Sequence, residues 1–342
     1  MNPMDAAASH QDARALVVRG LEGRVAALRT FDIGKRLAEL ALFLGLWAVG
    51  AGLTLAVHYG VGPGWARLLL YVPGVFLSAV AINAFVLLLH EGMHNTLFPC
   101  SFCNRWVSVL LGLPVLMSFS AYQVMHLRHH TYLGDPRDPD DYENYTSRPH
   151  LLWLMHCTRL LCGAFLYILF IPVLALRHGS RSQRRRVVEE YALLAVVFGA
   201  LAWTVPADLL LLTWLLPAVI VGYMTNIRGF TQHGIAVAAD PFLASRTMRP
   251  HPVVAFCLLY ENYHLEHHLF PEVPSYHLPE LHALLWPRLP RAVAGSSYLG
   301  FLGRFVRAAV RGDLSPIGLT IPGEPPPAEA VAVPSQPSTV AQ

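Results

Sequence analysis

LLLYVPGVFLSAVAINAFVLLLHEGMH, residues 68–94, is the stretch on which the reading of this chain turns. From Leu68 to Leu89 it carries no charge. A helix needs about 20 mostly apolar residues to cross roughly 30 Å of hydrocarbon, so this segment is long enough to span a bilayer. It then runs without a break into His90-Glu91-Gly92-Met93-His94. On a helix, residues four apart stand on one face with Cβ atoms roughly 5–6 Å apart, so His90 and His94 can grip one metal ion. Membrane and metal are therefore written into one continuous helix, with the ligands at its end.

Two more clusters repeat the pattern: His126-Leu127-Arg128-His129-His130 and His264-Leu265-Glu266-His267-His268. With the isolated His233 they gather nine of the seventeen histidines. One tetrahedral zinc takes about four ligands, so nine imply two ions or a large surplus, and two ions is the stronger reading. Imidazole suits Zn, Cu, Fe and Ni alike, and the residues alone leave the metal open. A ligating histidine normally donates its second ring N–H to a carboxylate or carbonyl. Candidates for that task are Glu91, Glu266 and the acidic loop from Asp135 through Asp138, Asp140 and Asp141 to Glu143. The remaining histidines, at 10, 58, 150, 156, 178, 251, 277 and 282, read as ordinary polar residues at helix ends or interfaces.

Hydrophobic residues make up 54% of the 342 and charged residues 14%, against about a quarter charged in soluble domains. Leu37–Val57 and Leu68–Leu89 pair as a hairpin through the 58–67 turn. Tyr191–Val205 and Leu209–Met224 form a second, hinged at Pro206-Ala207-Asp208. Trp106–Phe119, with Pro114, and Leu151–Leu176, with Arg159 and Pro172, read as re-entrant or interfacial helices. Arginines collect before the first hairpin (Arg14, Arg19, Arg24, Arg29, Arg36, with Lys35) and before the second (Arg177, Arg181, Arg184, Arg185, Arg186). Cytoplasmic loops are enriched in such residues. The expected fold is thus all-α: four transmembrane helices in two hairpins, interfacial helices, and a histidine-rich cap on the cytoplasmic side with both termini.

Residues 1–36 are expected to form a basic amphipathic segment on the membrane surface, through Leu16, Val17, Leu21, Val25 and Leu28. They lack the apolar core of a secretory signal. Residues 37–315 form the membrane domain, and 316–342 a disordered Pro-rich tail. The net charge of +3 is small, and no nucleic-acid partner is expected. Cys100-x-x-Cys103 stands alone, and a zinc ribbon needs a second pair.

His90-Glu-Gly-Met-His94 also matches H-E-x-x-H, the zinc-peptidase pattern in which Glu is the general base. An intramembrane peptidase needs one further ligand, which leaves most of the other clustered histidines unexplained. A metal transporter would place its ligands near the bilayer midplane, whereas these lie at or beyond helix ends. The arrangement instead resembles the membrane-bound fatty acid desaturase and hydroxylase family, marked by the boxes H-x3-4-H, H-x2-3-H-H and H-x2-3-H-H. Asp138-Pro139-Asp140 after the second box and Asn262-Tyr263-His264-Leu265-Glu266-His267-His268-Leu269-Phe270-Pro271 around the third match the family's context, over roughly residues 40 to 290. His233 occupies the place of the family's additional histidine.

That resemblance implies a non-haem di-iron centre with His90, His94, His126, His129, His130, His233, His264, His267 and His268 as iron ligands. It implies O2 as co-substrate, a lipid or acyl substrate, and introduction of a double bond into an acyl chain. Hydroxylation of a lipid or carotenoid is the alternative on the same scaffold, because the short first box also occurs there. No cytochrome-b5-like module or dinucleotide fingerprint is found, so electrons are expected from a separate ferredoxin or cytochrome b5-like carrier with its reductase.

Overall fold

The computed structural model describes residues 3–60, 63–133, 135–141, 144–236, 240–289 and 297–312. The Pro-rich tail, Glu143 and the tip of the first hairpin turn at Gly62 lie outside the described residues. Every described element is helical apart from one isolated bridge, Thr247 to Tyr263.

Helix α1 (Pro3–Val18) and α2 (Glu22–Ala27) precede the first long pair. The side chain of Asp32 opens α3 (Ile33–His58) by accepting the Lys35 backbone N–H at 2.9 Å. Its partner α4 (Gly64–Met93) is the longer of the two. They approach closely because both present glycine: a Cβ on Gly50 would lie 2.7 Å from the Gly74 carbonyl oxygen. Small residues allow such contact where lipid supplies no hydrophobic drive between helices. In α4 72% of the apolar window is buried, against 11–17% in the other long helices. Thus α4 is the central post, and the others turn Leu44, Val49, Leu169, Phe170, Val196 and Trp203 outward. Exposed apolar surface on that scale marks a lipid-facing wall.

Helices α5 (Ser101–Gly112) and α6 (Phe119–Tyr132) are separated by a short turn and bent by 99°, over the stretch expected to be re-entrant. Then come α7 (Pro149–His178), α8 (Arg181–Thr204), α9 (Ala207–Leu210) and α10 (Leu216–His233), the last two joined by a π-helical turn at Leu211–Leu215. By length and composition five helices can cross a membrane, where the sequence led us to expect four. The addition is α7. Arg159 and Pro172 do not interrupt it, since Arg159 sends Nη1 to the Asp140 carbonyl at 3.2 Å and keeps its charge out of the apolar part.

The rest forms the cap: α11 (Pro252–Cys257), α12 (His264–Leu269), α13 (Leu278–Leu285) and α14 (Tyr298–Arg311). Ala13, Val17, Val25 and Leu28 of the N-terminal helical region pack in one core with Leu265, Leu269, Phe270 and Leu281. The apolar stripe read as a membrane-surface face therefore has these members against the third histidine box.

Candidate metal centre

Four helices deliver the clustered histidines to one place. The last turn of α4 carries His90, with His94 as its C-cap. Ser118 caps α6, accepting the Ala121 N–H at 3.1 Å, and α6 presents His126, His129 and His130. Helix α10 ends on His233, and α12 begins on His264. Arg246 closes the end of α10 by donating to the carbonyls of Gly234, at 2.6 Å, and Ile235, which holds His233 in place.

The nine side chains sort into two adjoining groups. His90, His94, His126, His130 and His267 offer ligand atoms all within 4.8 Å of one another, and so do His129, His233 and His268. His264 joins the second group, its Nε2 lying 2.8 Å from His233 Nε2 and 3.2 Å from His268 Nε2. The groups touch where the His130 and His268 rings stack at 4.2 Å.

Each H-x-x-H-H box serves both groups, and helix geometry explains why. Adjacent helical residues point about 100° apart, whereas i and i+4 nearly align. So His126 and His130 face the first group while His129 turns to the second. In the third box His264 and His268 face the second group and His267 the first.

These residues fit two cations. Buried ring nitrogens of His129, His130, His267 and His268 have no hydrogen-bond partner among the described residues. Leaving one buried polar group unpaired costs about 1–3 kcal/mol, so this concentration calls for bound ions. His94 Nε2 and His126 Nε2 stand 2.8 Å apart, two ring nitrogens converging on one point. In the third box burial also favours the neutral ring, the form that ligates. It pushes His264 down to about 4, and His267 and His268 well below the ordinary imidazole value.

Carboxylates orient the centre, though not all those anticipated. Asp138 takes His129 Nδ1 at 2.9 Å, and the Asp140 backbone N–H steadies it at 2.9 Å. That bond places the proton on Nδ1 and leaves the Nε2 lone pair for a metal. Asp135 only pairs with Arg137, at 2.7 Å, inside the turn. Glu266 points away from the cluster: it accepts from His282 Nδ1 at 2.5 Å and from the Thr247 hydroxyl, tying α12 to α13. Its partner His282 thus lies at the interface of the two helices. Glu91 is held by Arg36 at 2.6 Å and by the Ser275 N–H at 2.9 Å. A carboxylate so engaged is a poor general base, which counts against the peptidase reading.

Sequence reasoning missed Glu261. It is fully buried, with Oε1 3.2 Å from His90 Nδ1 and Oε2 3.8 Å from His264 Nδ1. It therefore faces one histidine of each group. Its i, i+3 spacing to His264 was a usable signal. The turn that aims it was not, because Leu259 (φ 47°) and Tyr260 (φ 64°) are both left-handed, a conformation that costs non-glycine residues roughly 1–2 kcal/mol each.

A mainly apolar cleft of about 340 Å³ leads from the π-turn, at Trp214 and Leu215, to His90, His126, His129, His233 and His264. It runs beside α10 for about 28 Å of helix rise, comparable with a bilayer's hydrocarbon thickness.

Comparison with known proteins agrees with this geometry. The sphingolipid delta(4)-desaturase/C4-monooxygenase DES2 of Rattus norvegicus is 25% identical over 207 residues, 58% of this chain and 60% of that protein. A putative sphingolipid delta(4)-desaturase/C4-monooxygenase of Caenorhabditis elegans is 25% identical over 253 residues, covering 70% and 65%. The sn-1 oleoyl-lipid 12-desaturase of a Picosynechococcus species is 23% identical over 282 residues, covering 72% and 74%. The chain thus spans about 60% of the length of the rat relative. The family model for fatty acid desaturases matches residues 63–299, which takes in both histidine groups, Asp138 and Glu261. The chain is a membrane protein and belongs to the fatty acid desaturase family.

Proposed function

We propose that this protein is an O2-dependent lipid desaturase that introduces a double bond into an acyl chain, with the nine clustered histidines as ligands of two iron ions. The observation that supports it best is two adjoining groups of convergent imidazoles, several with ring nitrogens that lack a hydrogen-bond partner, at the end of an apolar cleft. When bound, the di-iron group supplies the reductive O2 chemistry that an unactivated C–H bond requires. The chain's own residues do the rest. Asp138 holds His129 in one tautomer, the apolar wall from Val86 and Leu89 to Ile168 keeps water from the reacting carbons, and the cleft sets which carbon lies against the histidines. Small changes in that placement cost large factors in rate and decide between removing a second hydrogen and adding a hydroxyl. Hydroxylation is the second reading, favoured by the two sphingolipid relatives, whose names join both activities.

A host expressing the chain should gain a lipid product lacking two hydrogens, or bearing one added oxygen, that is absent from a His126→Ala control. Identical lipid profiles in the two strains would overturn the reading.

The shared centre supports a four-crossing topology in this reading. His129 and His233 sit in one group, so the chain between them crosses the bilayer an even number of times. Of α7, α8 and the α9–α10 unit, α7 is the one we place along the interface. Its start packs on α10 through His156 and Phe230, with ring centroids 5.9 Å apart, and Gly179 just past its end packs beside Val124 of α6. Four crossings then remain, with termini and histidine boxes in the cytoplasm. Reporter fusions after residues 36, 140, 183 and 300 should all read cytoplasmic, and an opposite signal at 140 or 300 would end this topology.

Electrons come from a separate carrier and reductase in this reading. The arginine cluster offers such a carrier only part of its charge, since Arg184 caps the Gly179 carbonyl at 2.8 Å and Arg185 pairs with Glu189 at 2.7 Å. Turnover in vitro should require added carrier and fall as salt screens the encounter. Full turnover with O2 and NADPH alone in pure protein would refute the claim.

A further inference from the structure

Arg228 is a cation on the cleft wall, and no carboxylate among the described residues forms an ion pair with it. It lies on α10, is 7% exposed, and lines the cleft together with five of the histidines. Its Nε has no hydrogen-bond partner, and among the described residues it forms no ion pair. The acidic groups nearby face histidines instead: Glu261 faces His90 and His264, and Asp140, which lines the same cleft, lies 3.9 Å from His129 Nδ1. Tyr122, a neutral hydroxyl on the cleft wall, is the side chain that hydrogen-bonds Arg228. Two residues earlier on α10, Asn226 is 4% exposed and also lines the cleft. Its Oδ1 accepts the Ala164 N–H at 2.5 Å, which leaves Nδ2 as an unpaired buried donor.

A buried charge without a counter-charge is costly, and so is a buried donor without an acceptor. Both costs fall away if the site receives an anion with oxygen acceptors. The walls leading away from Arg228 toward Trp214 are apolar and suit a hydrocarbon chain. We propose that Arg228 and Asn226 bind an anionic oxygen head of the substrate, a carboxylate or a phosphate on a long alkyl chain, at the histidine end of the cleft. The substrate then enters tail outward, with its charged head beside the metal centre and the reacting carbons within a few bonds of that head. This assignment rests on the cleft being the substrate site, as proposed above. Binding measured without turnover tests it separately.

The full-length protein in nanodiscs would be titrated with a fluorescent polyene fatty acid, the corresponding alkyl phosphate and the corresponding alcohol. At about pH 8 both acids carry charge. One or both should bind roughly 10- to 100-fold tighter than the alcohol, the range expected for hydrogen bonds to a charged group. Which acid wins identifies the source of the anion. Arg228→Met should erase the preference while leaving the affinity for the alcohol unchanged, which also shows that the cleft is intact. Arg228→Lys should keep part of the preference. Equal affinity for acid and alcohol in the wild type would overturn the proposal, and so would an undiminished preference in Arg228→Met. Should Arg228→Met bind neither ligand, Arg228→Lys decides: alcohol binding with no acid preference overturns the site, and a retained preference supports it. A protein that shows the preference yet oxidises no lipid would sink the desaturase reading and leave this site standing.

Discussion

Alanine at His267 is expected to reduce bound iron from about two ions per chain to about one and to lower turnover by at least about 100-fold. His267 is buried at the centre of the first group, both its ring nitrogens lack hydrogen-bond partners, and its ring lies 4.6 Å from that of His90 and 4.8 Å from that of His94. No neighbouring imidazole can replace it, because His264 and His268 are turned to the second group by helix geometry. His233→Ala should remove the other ion, since His233 bridges the contacts of His129, His264 and His268. Asp138→Asn makes a milder companion: the ring of His129 stays while its tautomer is no longer enforced, and metal affinity should fall roughly 10- to 100-fold. Alanine at His58 or His178, neither of them in the two histidine groups, should change neither readout. Metal analysis by mass spectrometry decides the matter. One zinc and no iron in the wild type, or normal turnover after two box histidines are lost, would refute the ligand assignment.

Removing Arg36 is expected to have the largest effect on stability. Its guanidinium, 1% exposed, donates to Glu39 at 2.7 Å and to Glu91 at 2.6 Å and lies over the Tyr276 ring at 4.8 Å. Tyr276 in turn accepts the Asp32 N–H at 2.8 Å, so one arginine ties the start of α3, the end of α4 and the segment after the third box. Arg36→Met would strand two buried carboxylates, and losing one partner of a buried pair costs about 3–5 kcal/mol. A fall in melting temperature on the order of 10 °C should follow, with loss of iron because Glu91 adjoins His90. The double variant Arg36→Met/Glu91→Gln should recover part of the loss by removing one stranded charge. A single variant that melts with the wild type would show that the triad contributes nothing to holding the cap on the membrane helices.

What the sequence by itself determined is the local content. Apolar runs of spanning length declare a membrane protein, because the bilayer thickness sets a helix length that can be counted. The nine histidines are legible for the same reason, since i, i+3 and i, i+4 spacing is a property of one helix and needs no partner. Asp138 stood out in the loop after the second box, but so did Asp135 and Asp140, and nothing local distinguished the one that reaches His129. Tertiary structure alone decided the division into two groups, for a box shows which of its histidines share a face but not what that face meets. It also decided that Glu266 serves His282 while Glu261 faces the metal centre, a swap made by two left-handed residues at 259 and 260 whose backbone no side-chain pattern announces. Arg36 belonged by composition to a row of basic residues before the first hairpin, and only the folding of α3 onto α4 and the cap turned it inward. Nothing local marks Arg228, and it is the packing of α10 on α4 and α7 that encloses it in the cleft. Spacing along one helix is short-range and survives in a string of letters, whereas the counter-charge a side chain meets depends on elements tens to hundreds of residues away.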